Sequence, residues 1–230
     1  MLASPEFWSA LAAIVVIDLV LAGDNAIVIA LAARSLPPEL QRRAIVWGTF
    51  GAVAVRSSLT VVTLWLLQIP GLMAAGGAVL LWIGYRLLVE DVGAKGHEVK
   101  SAKSWWAALR TIVVADAVMG LDNVLAVAGA ANGSVVLVVA GLVISIPIVI
   151  WGSTLVMRAL DRFPNLLYLG GAVLAWTAAK MIVGEPQFAD ALADRTGVVV
   201  LIYIVAIGGV LGAAWLRRRR PALAKTHQSS

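Results

Sequence analysis

The sequence predicts an all-α, polytopic membrane protein: seven transmembrane helices, arranged as two inverted three-helix repeats plus one accessory helix. Three observations predict it. The 230 residues are 61% hydrophobic and only 13% charged, with a mean hydropathy of +0.92, where soluble domains are about 45–50% apolar and about 25% charged. Seven stretches are long and apolar enough to span the hydrocarbon core, a task that takes about 20 residues. Finally, Asp18-Leu-Val-Leu-Ala-Gly-Asp24-Asn25 returns 98 positions later as Asp116-Ala-Val-Met-Gly-Leu-Asp122-Asn123, each time in the middle of a hydrophobic run.

The stretches cover residues 7–33, 43–67, 71–89, 105–131, 134–157, 164–183 and 197–216. Gln68-Ile69-Pro70-Gly71 and Asn132-Gly133-Ser134 carry the turn chemistry for two short connections. Charge orients the chain. Arg34, Arg42 and Arg43 follow the first stretch; Arg86, Lys95, Lys100, Lys103 and Arg110 flank the third connection; Arg158 and Arg162 follow the fifth. With Arg217, Arg218, Arg219, Arg220 and Lys225, 15 of the 18 Lys and Arg fall on one side. The positive-inside rule makes that side cytoplasmic, with the N-terminus outside and the C-terminus in the cytoplasm of a multi-pass cell-membrane protein. Arg56 lies inside the second stretch.

The repeat extends beyond the acidic motif. Gly76-Gly-Ala-Val-Leu80, followed by Trp82 and Arg86, recurs 94 positions on as Gly170-Gly-Ala-Val-Leu174, followed by Trp176 and Lys180. Residues 1–89 form the first three-helix repeat, 90–104 a cytoplasmic linker, 105–183 the second repeat, and 184–230 the accessory helix and basic tail. Three spans are an odd number, so the second repeat enters the membrane from the opposite side. Inverted repeats of this kind recur in secondary transporters, which bind substrate near the midplane at the repeat interface.

Composition also excludes. The chain has no Cys, which removes thiolate metal sites, disulfides and Cys nucleophiles. His97 and His227 lie in polar segments. The net charge of +5 is spread through short loops and the tail, which is topology and not a nucleic-acid face. Residues 1–6 hold no Lys or Arg, so the first stretch reads as retained rather than as a cleaved signal.

A carboxylate at bilayer depth costs roughly 2.5–3.5 kcal/mol on insertion scales, and those that persist mark ion or proton pathways by default. From residue 7 to Asp18, and from residue 105 to Asp116, is 11 residues in each case, about 17 Å along a helix. Both motifs therefore sit near mid-membrane. On an unbroken helix the two Asp of one motif stand about 120° apart and do not share a face. Gly23 and Gly120 precede the second Asp of each copy, where a break would turn both carboxylates towards one cavity. Four carboxylates with the Asn25 and Asn123 carbonyls make a hard, oxygen-rich cage suited to magnesium, calcium or manganese. With all four ionised, one divalent cation and Arg56 leave one negative charge unbalanced, consistent with proton-coupled exchange. The structural alternative is hydrogen bonding between helices or pairing with Arg56. Met119 offers a soft ligand or, alternatively, core packing. Ser145 and Pro147 kink the fifth stretch, or free a carbonyl there.

These residues resemble the TerC family of integral membrane proteins, whose hallmark is the duplicated Asp-x5-Asp-Asn arrangement in the first and fourth helices. The resemblance covers roughly residues 7–216. It implies a seven-helix transporter-like fold and, as in several members, manganese efflux, with a metal site of Asp18, Asp24, Asn25, Asp116, Asp122 and Asn123. The expected function is thus divalent cation transport, manganese foremost, by alternating access. The alternatives are a membrane-embedded metal-dependent enzyme and a non-transporting partner in metal loading of other membrane proteins. Enzymatic activity is not expected, because no nucleophile stands beside a base. No cofactor is expected beyond the divalent cation carried as substrate. The expected partners are that metal ion and the lipid bilayer, with homo-oligomerisation left open and no nucleic acid.

Overall fold

The computed structural model describes residues 5–66, 69–93, 101–131, 134–192 and 194–226. Every regular element within them is helical: α1 (Pro5–Arg34), α2 (Pro38–Leu66), α3 (Leu72–Gly93), α4 (Ser101–Ala130), α5 (Val135–Arg162), α6 (Leu166–Val183), α7 (Pro186–Leu192) and α8 (Thr196–Thr226). Helices are the only open-ended way for chain to cross lipid, because each backbone group finds its partner within the segment. Among the described residues α3, α5, α6 and α8 are each long and apolar enough to cross a membrane. With α1 counted as one bent span, there are five.

Punctuation residues set the helix ends. Pro38 opens α2 and Pro186 opens α7, where the missing N–H lies among those a helix leaves unpaired anyway. Ser134 caps α5 by accepting the Leu137 N–H. Gly71 turns the chain into α3 at φ +81°, a conformation that strains any residue with a Cβ. Gln41 Nε2 donates to the Leu36 carbonyl at 3.0 Å, tying the first turn of α2 to the loop before it. The helices outrun the apolar stretches at the basic ends: α3 reaches Gly93, α5 reaches Arg162 and α8 reaches Thr226. α7, seven residues with no apolar run, answers to no stretch singled out in the sequence. The linker segment 94–100 with His97, the turn residues Gln68, Asn132 and Gly133, and His227 lie outside the described residues.

Packing pairs the helices across the two halves of the chain. α1 packs chiefly on α5, α2 on α4, and α3 on α6, while α1–α4 and α2–α5 contacts close four helices around a common centre. The paired glycines permit close approach, as small residues do between membrane helices. A Cβ on Gly77 would stand 2.6 Å from the Ala178 carbonyl oxygen, and one on Gly171 2.5 Å from Leu88 Cδ1. α8 lies against α6 and α3, with Trp176 and Tyr203 rings 4.5 Å apart. Two apolar clusters form the interior: Leu11 and Ile14 of α1 belong to one, and residues 28–33 to the other. The acidic motif lies between them. Outward faces carry Trp47, Trp82, Trp151, Ile204 and Val205 exposed, the composition of a surface that meets lipid.

Candidate functional site

Three charged side chains from three helices meet in the interior: Asp18 of α1, Arg56 of α2 and Asp116 of α4 are 3%, 6% and 7% exposed. Buried charge persists only where it is paired and hydrogen-bonded. Arg56 Nη1 donates to Asp18 Oδ1 at 2.8 Å, while Nη2 and Nε donate to Asp116 Oδ1 and Oδ2 at 2.5 and 3.3 Å. The guanidinium fork thus takes both oxygens of one carboxylate and reaches across to the other, a planar recognition that an ammonium cannot reproduce. The two aspartates stand 98 positions apart, one from each copy of the motif.

A cavity of about 20 Å³ adjoins the triad, room for about one water. Its described lining comes from α1 (Asp18, Asn25, Ile29), α4 (Asp116), α2 (Thr49, Ala52, Val53, Arg56) and α5 (Leu142, Ser145, Ile146, Val149). Each α5 residue stands 93 positions after one of α2: 49 to 142, 52 to 145, 53 to 146 and 56 to 149. The same register recurs one turn from each aspartate. Gly48 packs on Ile112, four residues before Asp116, and Gly141 packs on Ile14, four residues before Asp18. The glycines let α2 and α5 approach the aspartate helices closely. Arg56 breaks the register, for its counterpart is Val149.

The lining hydroxyls are already committed as donors. Thr49 Oγ1 donates to the Ile45 carbonyl at 2.8 Å and Ser145 Oγ to the Gly141 carbonyl at 3.0 Å. Back-bonding of this kind satisfies a hydroxyl inside a helix and leaves its oxygen lone pairs as acceptors. The polar wall therefore combines carboxylate, amide and hydroxyl oxygens with one guanidinium.

Of the residues singled out in the sequence, Asp18, Asn25 and Asp116 come together at this cavity with Arg56. α1 bends by 49° between Val20 and Gly23, yet Asp24 remains half-buried and is not among the described lining. Its Oδ1 accepts the Asn25 backbone N–H at 2.9 Å. Asn123 is buried but likewise outside the lining. The Asp122 side chain lies outside the described residues. Among the described residues no three His, Cys, Asp or Glu groups gather in a metal-holding arrangement; two carboxylates converge, with Arg56 between them. Met119 is 1% exposed within the apolar core. The unmatched glycines also part ways: a Cβ on Gly23 would meet nothing within 4 Å, whereas one on Gly120 would stand 3.7 Å from Arg56 Nε.

Sequence reasoning passed over Thr49 and Glu185. Thr49 could have been found as a hydroxyl one helical position after a glycine in an apolar run. Glu185, 1% exposed at the end of α6, accepts the Gly71 N–H at 2.9 Å on Oε1 and the Met73 and Ala74 N–H groups at 3.1 and 3.2 Å on Oε2. These backbone donors, Gly71 first, hold its carboxyl below the ordinary glutamate value. It caps α3 from the far end of α6, outside the apolar segments.

Residues 3–221 match the sequence model of a family described as integral membrane protein TerC family. An uncharacterized membrane protein of Bacillus subtilis, YjbE, is 46% identical over 209 residues, which span 91% of this chain and 95% of that protein. Two Escherichia coli proteins, YegH and the inner membrane protein YoaE, are 29% and 27% identical over 187 and 186 residues. Those segments span 73% of this chain but only 35% and 36% of the Escherichia coli proteins. No solved structure matches.

Proposed function

The chain belongs to the TerC family of integral membrane proteins, and from that premise we propose that it is a divalent metal cation transporter, exporting manganese by alternating access. One observation carries the reading: Asp18 and Asp116, equivalent residues of a duplicated motif, converge on one cavity buried among apolar helices. Intramembrane carboxylates facing a cavity are the usual mark of an ion pathway.

The helix arrangement supports two inverted three-helix repeats within seven spans. Exchanging α1 with α4, α2 with α5 and α3 with α6 turns the α1–α5 contact into α4–α2, and the α1–α6 contact into α4–α3, all of which occur. The constant 93-position register of α2 and α5 around the cavity is what a pseudo-two-fold axis through it produces. Substrate then binds on the axis, and rocking of one repeat against the other opens the site to either side. α2 and α4 complete the seven spans, with the basic loops in the cytoplasm. Hard oxygen donors, with no sulfur among the described lining residues, suit manganese, calcium or magnesium over thiolate-seeking metals, and the family resemblance favours manganese.

Flux in proteoliposomes tests the proposal, comparing the native chain with Asp18→Asn and Asp116→Asn for manganese, calcium and magnesium. The native protein moves manganese, and each substitution lowers the flux by about tenfold or more, as loss of an ion-binding carboxylate should. Folded native protein that carries no divalent cation ends this reading and leaves the metal-dependent enzyme or the loading partner.

A further inference from the structure

We infer that Arg56 is the valence filter of the axial cavity: a tethered monovalent cation, seated between Asp18 and Asp116, that a divalent ion can replace with a gain in charge balance and a monovalent ion cannot. The inference rests on the transport reading for the ion's task, while the filter itself concerns binding.

The argument begins from position. The guanidinium touches two carboxylates that are equivalent in the two copies of the motif. It therefore occupies the one place from which an ion would serve both repeats alike. The cavity beside it holds room for about one water, so the guanidinium and a partly hydrated ion do not fit between the carboxylates together. Exchange is one cation for another.

Charge then discriminates. The aspartate pair carries two negative charges and Arg56 one positive charge, which leaves the triad one positive charge short of neutrality. A sodium or potassium ion in place of the guanidinium leaves the same deficit and forfeits three charge-assisted hydrogen bonds. A divalent ion forfeits the same bonds but removes the deficit between the two carboxylates. The competing guanidinium is moreover covalently tethered, so dilution never weakens it as a competitor. Abundant monovalent ions are thus excluded by a built-in rival rather than by pore size, which is specificity through an unfavourable alternative.

The break in register explains why there is one such rival and not two. Val149 stands where the 93-position register puts the counterpart of Arg56, and both line the cavity. A second guanidinium there would neutralise the pair completely and remove the incentive for a divalent ion to enter. Gly120 lies against the Arg56 stem: a Cβ there would stand 3.7 Å from Nε and 3.8 Å from Cγ, in ordinary contact.

The test measures manganese binding and flux by the full-length chain at about 150 mM sodium, with choline chloride as the ionic-strength control. The native protein is indifferent, changing by less than about twofold between the two salts. In Arg56→Gln sodium lowers manganese binding by about tenfold and itself raises the melting temperature, because the vacated seat now accepts a monovalent ion. Arg56→Val with Val149→Arg returns a guanidinium to the cavity from the other repeat and restores indifference. A folded Arg56→Gln protein that ignores sodium overturns the inference. So does a double variant that remains sodium-sensitive, and this variant decides the matter if Arg56→Gln does not fold. Failure of transport is read separately: a native protein without divalent flux removes the transport reading, while sodium-dependent stabilisation of Arg56→Gln still reports on the filter.

Discussion

Gly48 of α2 lies so close to Ile112 of α4 that a Cβ on the glycine would stand 2.8 Å from the isoleucine Cδ1. The contact is one helical turn from Asp116, so it governs how the carboxylate helix meets the helix that carries Arg56. A leucine at position 48 must push α2 from α4, and overpacking of this kind costs about 1–3 kcal/mol. Gly48→Leu is therefore expected to lower the melting temperature in detergent and to weaken manganese flux beyond the loss of folded protein. Gly208→Ala is the control, since a Cβ there meets nothing within 4 Å; it should stay within about 0.5 kcal/mol of native.

The long helices were legible because apolar runs of about 20 residues admit few other structures. α7 was not, because seven residues without an apolar run give no periodic signal. At the site, the duplicated spacing pointed to Asp18 and Asp116, and the 120° separation within each motif describes why Asp24 does not join Asp18 in the cavity lining. The partnership with Arg56 was legible as the structural alternative, pairing of the aspartates with a charge stranded in an apolar run. Which carboxylates it reaches depends on the rotation of α2 about its axis, which the Gly48–Ile112 contact constrains across 64 residues of chain, as the Gly141–Ile14 contact constrains α5 against α1 across 127. No local pattern encodes such a distance. Gly23 and Gly120 also differ in their surroundings: Gly23 adjoins the bend of α1, while Gly120 lies against the Arg56 side chain.

That second contact yields its own prediction. At Gly120 an added methyl would make only ordinary contact with Arg56, at 3.7 and 3.8 Å, so Gly120→Ala should fold and transport like the native protein. Gly120→Leu must displace the guanidinium from its carboxylates. Thermal stability should fall by about 1–3 kcal/mol, and sodium sensitivity of manganese binding should appear with Arg56 itself unchanged.

Glu185 predicts an acid-dependent loss of stability at the end of the molecule remote from the site in sequence. Its folded-state value lies below the ordinary glutamate value of 4.5 because the Gly71, Ala74 and Met73 N–H groups stabilise the carboxylate. The unfolded chain thus binds the proton more readily, and acid favours unfolding. The contribution is complete above the ordinary value and fades as pH falls below it, through the lowered folded value. Glu185→Gln keeps one acceptor oxygen but sets an amide N–H₂ against the remaining donors. Melting temperatures measured from pH 7 down to about pH 3 should show the variant below native at neutral pH, with the gap closing on acidification. A gap independent of pH would assign the effect to packing instead.

Arg56 separates what holds the fold from what serves the ion. Removing one member of a buried, hydrogen-bonded charge set leaves uncompensated charge, a loss of about 3–5 kcal/mol, so Arg56→Ala should be among the most destabilising substitutions in the chain. Arg56→Lys keeps the charge but not the planar fork that grips both oxygens of Asp116, and should fall between. Replacing the whole set by apolar groups removes the desolvation penalty along with the attraction, and such replacements are often neutral or stabilising. The triple variant Asp18→Val, Arg56→Met and Asp116→Val is therefore expected to regain most of the stability lost in Arg56→Ala while carrying no manganese. Stability is read by thermal unfolding in one detergent, and transport by flux in liposomes of one composition. A triple variant that is stable and still moves manganese would take the carboxylate pair out of the transport path; one less stable than Arg56→Ala would make the triad a structural requirement of the fold.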